Sequence, residues 1–320
     1  MKRILKITAW TVGTIVFLVV CFAATVQLRG IPKATPSKVE LTVEVTSERV
    51  AKGEKLASIV CNKCHTSEEE HKLSGKYLQE IPAIFGKIYS KNITNDPVKG
   101  IGKWTDGEIY AFLRTGVRAD GTRAALMPNY PLVADEDLYA IIAYLRSDRE
   151  VVQASKREPP NCETTLFTKF LAQYIMLPSK LPSSPIPLPD TLDKVAHGKY
   201  LVDAMLDCFS CHSADFTKNN ALEPEKSVGY LGGGNTLMDM DGKEIYSANL
   251  TMDKETGLGK WTEEQFITAL KTGQTPNGPF RYPMEPYTIL DDTEMKAIWA
   301  YLKTVPVIHN PVDRQRDGQK

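Results

Sequence analysis

The stretch Cys61-Asn62-Lys63-Cys64-His65 occurs a second time, with the same spacing, as Cys208-Phe209-Ser210-Cys211-His212. Two cysteines separated by two residues and followed directly by histidine form the attachment motif of c-type haem. Each thiol bonds to a vinyl group of the porphyrin, and the histidine becomes an axial ligand of the iron. The sequence therefore predicts two covalently bound haem c groups, attached through these residues: Cys61, Cys64 and His65, and Cys208, Cys211 and His212.

Two other chemistries also use paired cysteines. A structural zinc site places its Cys-x-x-Cys pairs about 15 to 20 residues apart, whereas a whole domain separates the pairs here. A thioredoxin-type redox pair lies beside a strand-helix-strand pattern, which the sequence lacks, and it does not require a histidine after the second cysteine. Haem attachment is therefore the interpretation that fits both motifs.

Downstream of both motifs the chain repeats itself without a gap. Gly100–Thr105 (GIGKWT) returns as Gly257–Thr262 (GLGKWT), and Ala140–Arg146 returns as Ala297–Lys303. A repeat of this length that carries its own motif indicates a duplicated domain rather than a short solenoid unit. From residue 48 onward we expect four regions: domain 1 at 48–150, a linker at 151–190, domain 2 at 191–306 and a tail at 307–320.

The repeat also aligns one methionine of each copy. Met127 in the segment LMPNY falls at the same register position as Met284 in PMEPY, and both lie in proline-containing loops outside the helical patterns. Methionine usually fills cores, but a thioether also ligates haem iron beside histidine and raises its reduction potential. The matched positions favour Met127 and Met284 as the second axial ligands. The remaining histidines are interpreted as ordinary residues without a ligand role: His71, His197 and His309.

Helical periodicity dominates both copies. Ala51–Val60 carries apolar residues at helical spacing and runs into the first motif, and Ala196–Leu206 precedes the second with two extra residues before its cysteine. Threonine N-caps and terminal glycines are predicted for one helix in each copy, at Thr105, Thr262, Gly116 and Gly273. No run of alternating residues predicts a substantial sheet, so the expected fold class is all-α.

The first 29 residues have the composition of a membrane segment. The nearly uncharged run 7–28 is long enough to cross a bilayer as a helix, which takes about 20 residues. A cleaved signal peptide, with an imperfect site at Cys21-Phe22-Ala23, is the alternative. We expect an uncleaved, single-pass anchor (1–29) in a bacterial inner membrane, followed by an extended tether (30–47) and haem domains on the periplasmic side. Basic residues before the run set that orientation: Lys2, Arg3 and Lys6.

The segment between the copies, 151–190, is rich in proline. Proline at this density predicts an extended and stiff linker, because it lacks an amide donor and fixes the backbone. A short amphipathic helix is predicted within Thr164–Met176. Cys162 has no partner among the other cysteines and is interpreted as a free thiol.

Both copies resemble class I cytochrome c domains, through the paired motifs, the downstream methionines and the closing Ala-x-x-Ala-Tyr-Leu helices. Asn92–Asp96 and the GIGKWT segment resemble, more narrowly, the cytochrome c subunits of membrane-bound bacterial alcohol and sugar dehydrogenases. The resemblance implies that the first and last helices of each domain cross at a glycine and a tyrosine. The pairs concerned are Gly53 with Tyr144 and Gly198 with Tyr301.

The same resemblance implies details around the haem. The carbonyl of Pro82 would accept the second ring N–H of His65, which orients the imidazole. Trp104 and Trp261 would shield a propionate edge of each haem.

Electron transfer is the function that these features predict, with irons that cycle between ferric and ferrous states. The expected partners are a quinoprotein or flavoprotein dehydrogenase or a quinol as donor, and a terminal oxidase or soluble cytochrome as acceptor. The chain has 39 basic and 39 acidic residues, so no strong field favours nucleic acid. The alternative is a dihaem peroxidase, which needs one openable iron site, whereas each copy here has its own methionine.

Overall fold

The computed structural model describes residues 2–124, 126–239 and 243–312, and within them the chain is helical with only short strands. The α-helices are α1 (Lys2–Arg29), α2 (Ser47–Val60), α3 (Asn62–His65), α4 (Asp106–Thr115), α5 (Asp135–Leu145), α6 (Leu166–Tyr174), α7 (Lys194–Tyr200), α8 (Cys208–His212), α9 (Glu263–Thr272) and α10 (Asp292–Leu302). The predicted all-α class is confirmed.

The remaining regular segments are short. Three antiparallel pairs are formed by β1 (Gly86–Lys87) with β2 (Glu163–Thr164), β3 (Thr236–Met238) with β4 (Glu244–Tyr246), and β5 (Gln274–Thr275) with β6 (Gly278–Pro279). Single 3-10 turns span Ala83–Phe85, Glu150–Val152, Phe216–Lys218 and Pro224–Lys226, and a π-helix spans Leu201–Met205.

The first and last helices of each domain cross at a glycine, as the resemblance implies. A Cβ at Gly53 would lie 1.9 Å from Ala140 O and 2.8 Å from Tyr144 Cβ, so α2 and α5 touch backbone to backbone. Gly198 repeats the arrangement in domain 2, where a Cβ would lie 2.0 Å from Ala297 O. Only glycine permits this approach, and the predicted crossings are confirmed.

Matching capping devices bound the middle helix of each domain. Thr105 and Glu108 form a reciprocal capping box at the start of α4, and Thr262 and Gln265 form one at the start of α9. Both helices end at a glycine in the left-handed region, with φ of 72° at Gly116 and 73° at Gly273. The predicted N-caps and terminal glycines are confirmed.

The proline-rich segment 151–190, predicted as an extended and stiff linker, packs against domain 1. Val152 is fully buried, and β2 pairs with β1 of domain 1. Asn92 Nδ2 donates to Ser155 O at 2.7 Å. Proline leaves backbone carbonyls without local donors, and domain 1 supplies donors to them. The short helix predicted within this segment is confirmed as α6.

The segment 30–47 is extended, as predicted, but it lies on domain 1 instead of lifting that domain away from the membrane. Val43 N donates to Asp106 Oδ2 at 2.9 Å, and Ala34 N donates to Gly121 O at 2.9 Å. Hydrogen bonds to a folded surface thus satisfy its backbone.

Domains 1 and 2 pack into one body whose buried apolar side chains form a continuous core. Tyr200, at the end of α7, donates its hydroxyl to Asp137 of domain 1 and accepts a hydrogen bond from Ala134 N at 3.2 Å. Lys55 of α2 lies 2.7 Å from Glu294 of α10. The two attachment motifs are therefore held at fixed relative positions.

Candidate haem sites

Each attachment motif begins where a core helix ends. Cys61 follows α2 directly and donates its N–H to Ala57 O at 2.8 Å, and the chain then turns through α3 so that His65 N reaches Cys61 O at 2.9 Å. One helical turn brings the two cysteines and the histidine to the same end of the core. The second motif coincides with α8, which also ends at its histidine, His212.

Both motif histidines are buried and oriented by a backbone carbonyl. His65 Nδ1 lies 2.7 Å from Lys91 O, and His212 Nδ1 lies 2.8 Å from Ala248 O. With Nδ1–H as the donor, Nε2 is left with a lone pair for a metal ion, as an axial haem ligand requires.

The expected role of Pro82 is wrong. Its carbonyl accepts from Phe85 N at 2.9 Å, where it closes the 3-10 turn Ala83–Phe85, and Lys91 supplies the acceptor for His65. Lys91 and Ala248 each stand directly before the repeated asparagine of the Asn-x-Thr segments. Any residue can supply a backbone carbonyl, so the residue types of Lys91 and Ala248 do not indicate this role. Their shared position before the repeated asparagine is the sequence signal that could have predicted these two acceptors.

The motif thiols lie in apolar surroundings. Burial raises the pKa of Cys61 to about 12 and that of Cys211 to about 11, and it raises the pKa of Cys208 further. Such thiols are protonated at neutral pH when no metal ion is bound. In the described part of the chain, no group of three or more His, Cys, Asp and Glu side chains is arranged to hold a metal ion. This arrangement argues against the zinc interpretation.

A cavity of about 860 Å³ adjoins the second motif. Cys208, Cys211 and His212 lie on one wall, and Met284 also lines it, so the structure brings together the four residues predicted for domain 2. Many of the other lining side chains are apolar, among them Leu250, Leu258, Phe266, Leu270 and Ile298. A space with attachment thiols, a nitrogen donor, a thioether and an apolar lining fits a haem. Trp261 lines the same cavity, as expected of a residue beside a haem edge.

The Met127 loop of domain 1 is built like the Met284 loop of domain 2. Met127 N donates to Ala124 O at 3.1 Å and Met284 N to Arg281 O at 3.0 Å. Three residues later, Tyr130 N reaches the end of α4 at 2.7 Å, and its counterpart Tyr287 N reaches the end of α9 at 2.7 Å. Met127 is half-buried against the core. Ligation by Met127 and Met284 remains a prediction.

The two sites adjoin each other. Ser58 and Ile59 of α2, together with Lys63 inside the first motif, line the cavity of the second motif. The Lys63 ammonium also lies 5.8 Å from the centre of the Tyr282 ring. Domain 1 thus completes the wall of the domain 2 site.

The two extra residues before the second motif are accommodated by the π-helix Leu201–Met205 and by the turn after it, where Asp207 is in the left-handed region with φ of 52°. Asp203, within this π-helix, is buried, lies 2.7 Å from Lys199 Nζ and accepts a hydrogen bond from the Tyr230 hydroxyl. Burial outweighs these contacts and raises the pKa of Asp203. Domain 1 has no acidic residue at the matching position of α2. The sequence signal for the π-helix and its buried aspartate was the difference in length between the two copies.

The other predictions concern residues away from the sites. His71 is exposed, and His309 Nδ1 lies 3.4 Å from Asp253 Oδ1 near the end of the described chain. Cys162 is a free, exposed thiol that contacts the Tyr89 backbone.

Two family matches cover the two domains. Residues 195–306 match the family described as Cytochrome c, and residues 48–145 match the family described as Cytochrome C oxidase, cbb3-type, subunit III. Together with the fold and the paired motifs, these matches place the chain in the cytochrome c class, with two such domains in tandem. Two haem c groups are the cofactors of such a chain.

Curated relatives narrow the similarity further. The alcohol dehydrogenase (quinone) cytochrome c subunit of Gluconacetobacter polyoxogenes is 30% identical over 280 residues, which cover 83% of this chain and 58% of that protein. The fructose dehydrogenase cytochrome subunit of Gluconobacter japonicus is 31% identical over 262 residues, which cover 77% of this chain and 50% of that protein. A diheme cytochrome c-type protein of Cereibacter sphaeroides is 26% identical over 263 residues, which cover 78% of this chain and 82% of that protein.

The chain therefore spans about half the length of these two dehydrogenase subunits. It resembles the cytochrome c subunits of alcohol and sugar dehydrogenases, as the sequence motifs indicate. The peroxidase alternative is not supported by these relatives.

Proposed function

We propose that this chain is a dihaem electron-transfer subunit that passes electrons from a dehydrogenase to a respiratory acceptor at a bacterial inner membrane. The observation that carries the proposal is the shared wall between the two sites, where Ser58, Ile59 and Lys63 of domain 1 line the cavity of domain 2. Electron transfer needs close, fixed cofactors and no bond making at a substrate. Each haem iron, when bound, supplies a one-electron ferric/ferrous couple.

The protein's own residues hold and tune those cofactors in this proposal. Cys61 and Cys64 attach one haem, and Cys208 and Cys211 attach the other, so neither cofactor can dissociate. His65 and His212 present Nε2 because their Nδ1–H groups donate to backbone carbonyls. Met127 and Met284 would close the sixth positions, which leaves no iron site free for peroxide.

The membrane assignment is supported by α1. Residues Arg3–Arg29 form a helix with a mean hydropathy of 2.2 over its most apolar window, long enough to cross a bilayer. It packs on α6 of the linker segment, and such a contact favours an anchor that is retained over a leader that is removed. With the basic residues at its start on the cytoplasmic side, the haem domains face the periplasm.

The donor in this proposal is a quinoprotein or flavoprotein dehydrogenase, because the named relatives are cytochrome subunits of dehydrogenases. The acceptor is a terminal oxidase or a soluble cytochrome. Balanced formal charge predicts docking that depends only modestly on salt.

A reductive titration of the purified full-length holoprotein tests the proposal. We expect two covalent haems per chain and the uptake of two electrons, with no high-spin ferric signal and no rapid reaction with hydrogen peroxide. Fewer than two covalent haems would refute the cofactor assignment. Fast peroxide turnover would instead restore the peroxidase alternative.

A further inference from the structure

Helix α6 exposes an apolar face. Its sequence, LFTKFLAQY, contains a single charged residue. Leu166 and Phe167 near its start are 43% and 36% exposed, Tyr174 at its end is 43% exposed, and Leu177 just beyond it is 62% exposed. A helix on a protein surface normally turns polar residues toward water, so contiguous exposed apolar side chains mark an interaction surface.

This helix packs directly against the outer end of α1. The Phe22 ring centre lies 6.3 Å from that of Phe170 and 5.8 Å from that of Tyr174. Val26, one turn further along α1, is 1% exposed, whereas nearly all other described side chains of α1 are exposed. The apolar face of α6 is therefore continuous with the surface of the membrane-spanning helix.

Hydrogen bonds fix α6 to α1 and to domain 1. Gln173 Nε2 donates to Val26 O at 2.9 Å and to Gly30 O at 2.8 Å, which caps the C-terminus of α1. Thr168 Oγ1 donates to Phe85 O of domain 1 at 2.7 Å. Helix α6 is thus held rigidly between α1 and domain 1. Its position along the axis of α1 is therefore fixed.

The position of α6 along α1 corresponds to the outer boundary of the bilayer, near the end of the apolar run of α1. Phe22 precedes Leu28, the last residue of the apolar run, by six residues, which is about 9 Å along a helix. Helices that lie in the plane of a membrane bury their apolar faces about 5–10 Å into the boundary between headgroups and acyl chains. Aromatic side chains are favoured at the same depth. Phe167 and Tyr174 supply such side chains on the exposed face.

We propose that α6 and the exposed side chains beside it lie in the outer interface of the bilayer that α1 crosses, so that lipid covers their apolar face. The inference rests on the retained anchor of the proposed function. Its consequence is that domain 1, which holds α6 through Thr168, lies on the membrane surface.

Spin-label accessibility on the full-length holoprotein in phospholipid nanodiscs tests this placement. The native thiols outside the motifs, Cys21 and Cys162, are first changed to serine. Leu177→Cys then places a label on the apolar face, Phe17→Cys places one on the anchor, and Leu222→Cys is the matched control, an exposed leucine of domain 2 next to polar residues. Collision rates with oxygen, which partitions into lipid, and with a water-soluble nickel complex are compared at each label.

The expected result is a several-fold higher ratio of oxygen to nickel collisions at positions 177 and 17 than at 222. A water-like ratio at 177 beside a lipid-like ratio at 17 would overturn the inference, leave the anchor intact and indicate that a protein partner covers this face. Water-like ratios at both 17 and 177 would overturn the anchor itself and the inference with it. The two failures are therefore distinguishable in one set of samples.

Discussion

The Lys63 ammonium, inside the first attachment motif, lies 2.8 Å from the carboxylate of Glu285, the residue after Met284. This ion pair joins the attachment point of one predicted haem to the distal loop of the other. Its side chains are 44% and 50% exposed, so solvent screens the pair and it contributes less than about 1 kcal/mol to stability. Its importance is in positioning the two sites.

Reversing the charge at Lys63 tests that role. Lys63→Glu is expected to lower the reduction potential of the domain 2 haem, because added negative charge favours ferric iron, while the unfolding free energy falls by less than about 1 kcal/mol. A potentiometric titration followed by visible absorbance measures the first effect. In the double variant Lys63→Glu/Glu285→Lys, which restores the pair with its charges exchanged, the unfolding free energy should return toward the original value, and a loss equal to the sum of the losses in the two single variants would argue against the pair.

Removal of either methionine should affect one haem only. Met127→Ala and Met284→Ala are each expected to abolish half of the methionine-to-iron charge-transfer absorbance and to lower the potential of the corresponding haem. Met252→Leu is the control, because Met252 packs against the domain 2 core at a position where domain 1 has Asn95. An unchanged charge-transfer band in both methionine variants would exclude them as ligands.

Arg114 and Lys271 occupy the same position of the repeat, but they should contribute very different amounts to the free energy of unfolding. Arg114 is fully buried, donates to Tyr130 O at 3.1 Å and pairs with Asp135, whereas its counterpart Lys271 pairs with Asp292 at the surface. Arg114→Ala leaves Asp135 without its buried partner and should cost about 3–5 kcal/mol. Lys271→Ala should cost less than about 1 kcal/mol. Denaturant unfolding of the two holoproteins compares them, and equal losses would contradict the structure.

Asp203 should make stability depend on pH. Burial raises its pKa in the folded protein above the ordinary value of 3.8, so the unfolded chain loses the proton first as pH rises. Folding therefore becomes less favourable between that ordinary value and the folded pKa, and the loss is complete above both. Asp203→Asn should show a flatter stability profile across this window in thermal melts at a series of pH values. Parallel profiles for the two proteins would mean that the carboxyl group titrates alike in both states.

Much of the fold could be predicted because the same local sequence signals occur at matching positions in both domains. The capping threonines Thr105 and Thr262, and the crossing glycines Gly53 and Gly198, act through short-range sterics and hydrogen bonds that residue type determines. Met284 was found in the same way, since the repeat register alone brought it opposite Met127. The structure places it in the cavity wall.

What could not be predicted depends on contacts between distant segments. The carbonyl acceptors of Lys91 and Ala248 carry no side-chain signature, and the resemblance pointed to Pro82 instead. The burial of Val152 in the proline-rich segment depends on a surface that exists only after domain 1 has folded. Insertions such as the one before Cys208 have several possible outcomes, and only packing selected a π-helix that turns Asp203 inward.

The wall that Ser58 and Ile59 contribute to the domain 2 cavity also makes the two copies unequal. Domain 1 encloses part of the predicted cofactor site of domain 2. Exchanging their order, or excising domain 2 as a separate cytochrome, would open that site to water on the side that α2 now covers. The two modules that the sequence shows therefore cannot be separated without exposing the domain 2 cavity.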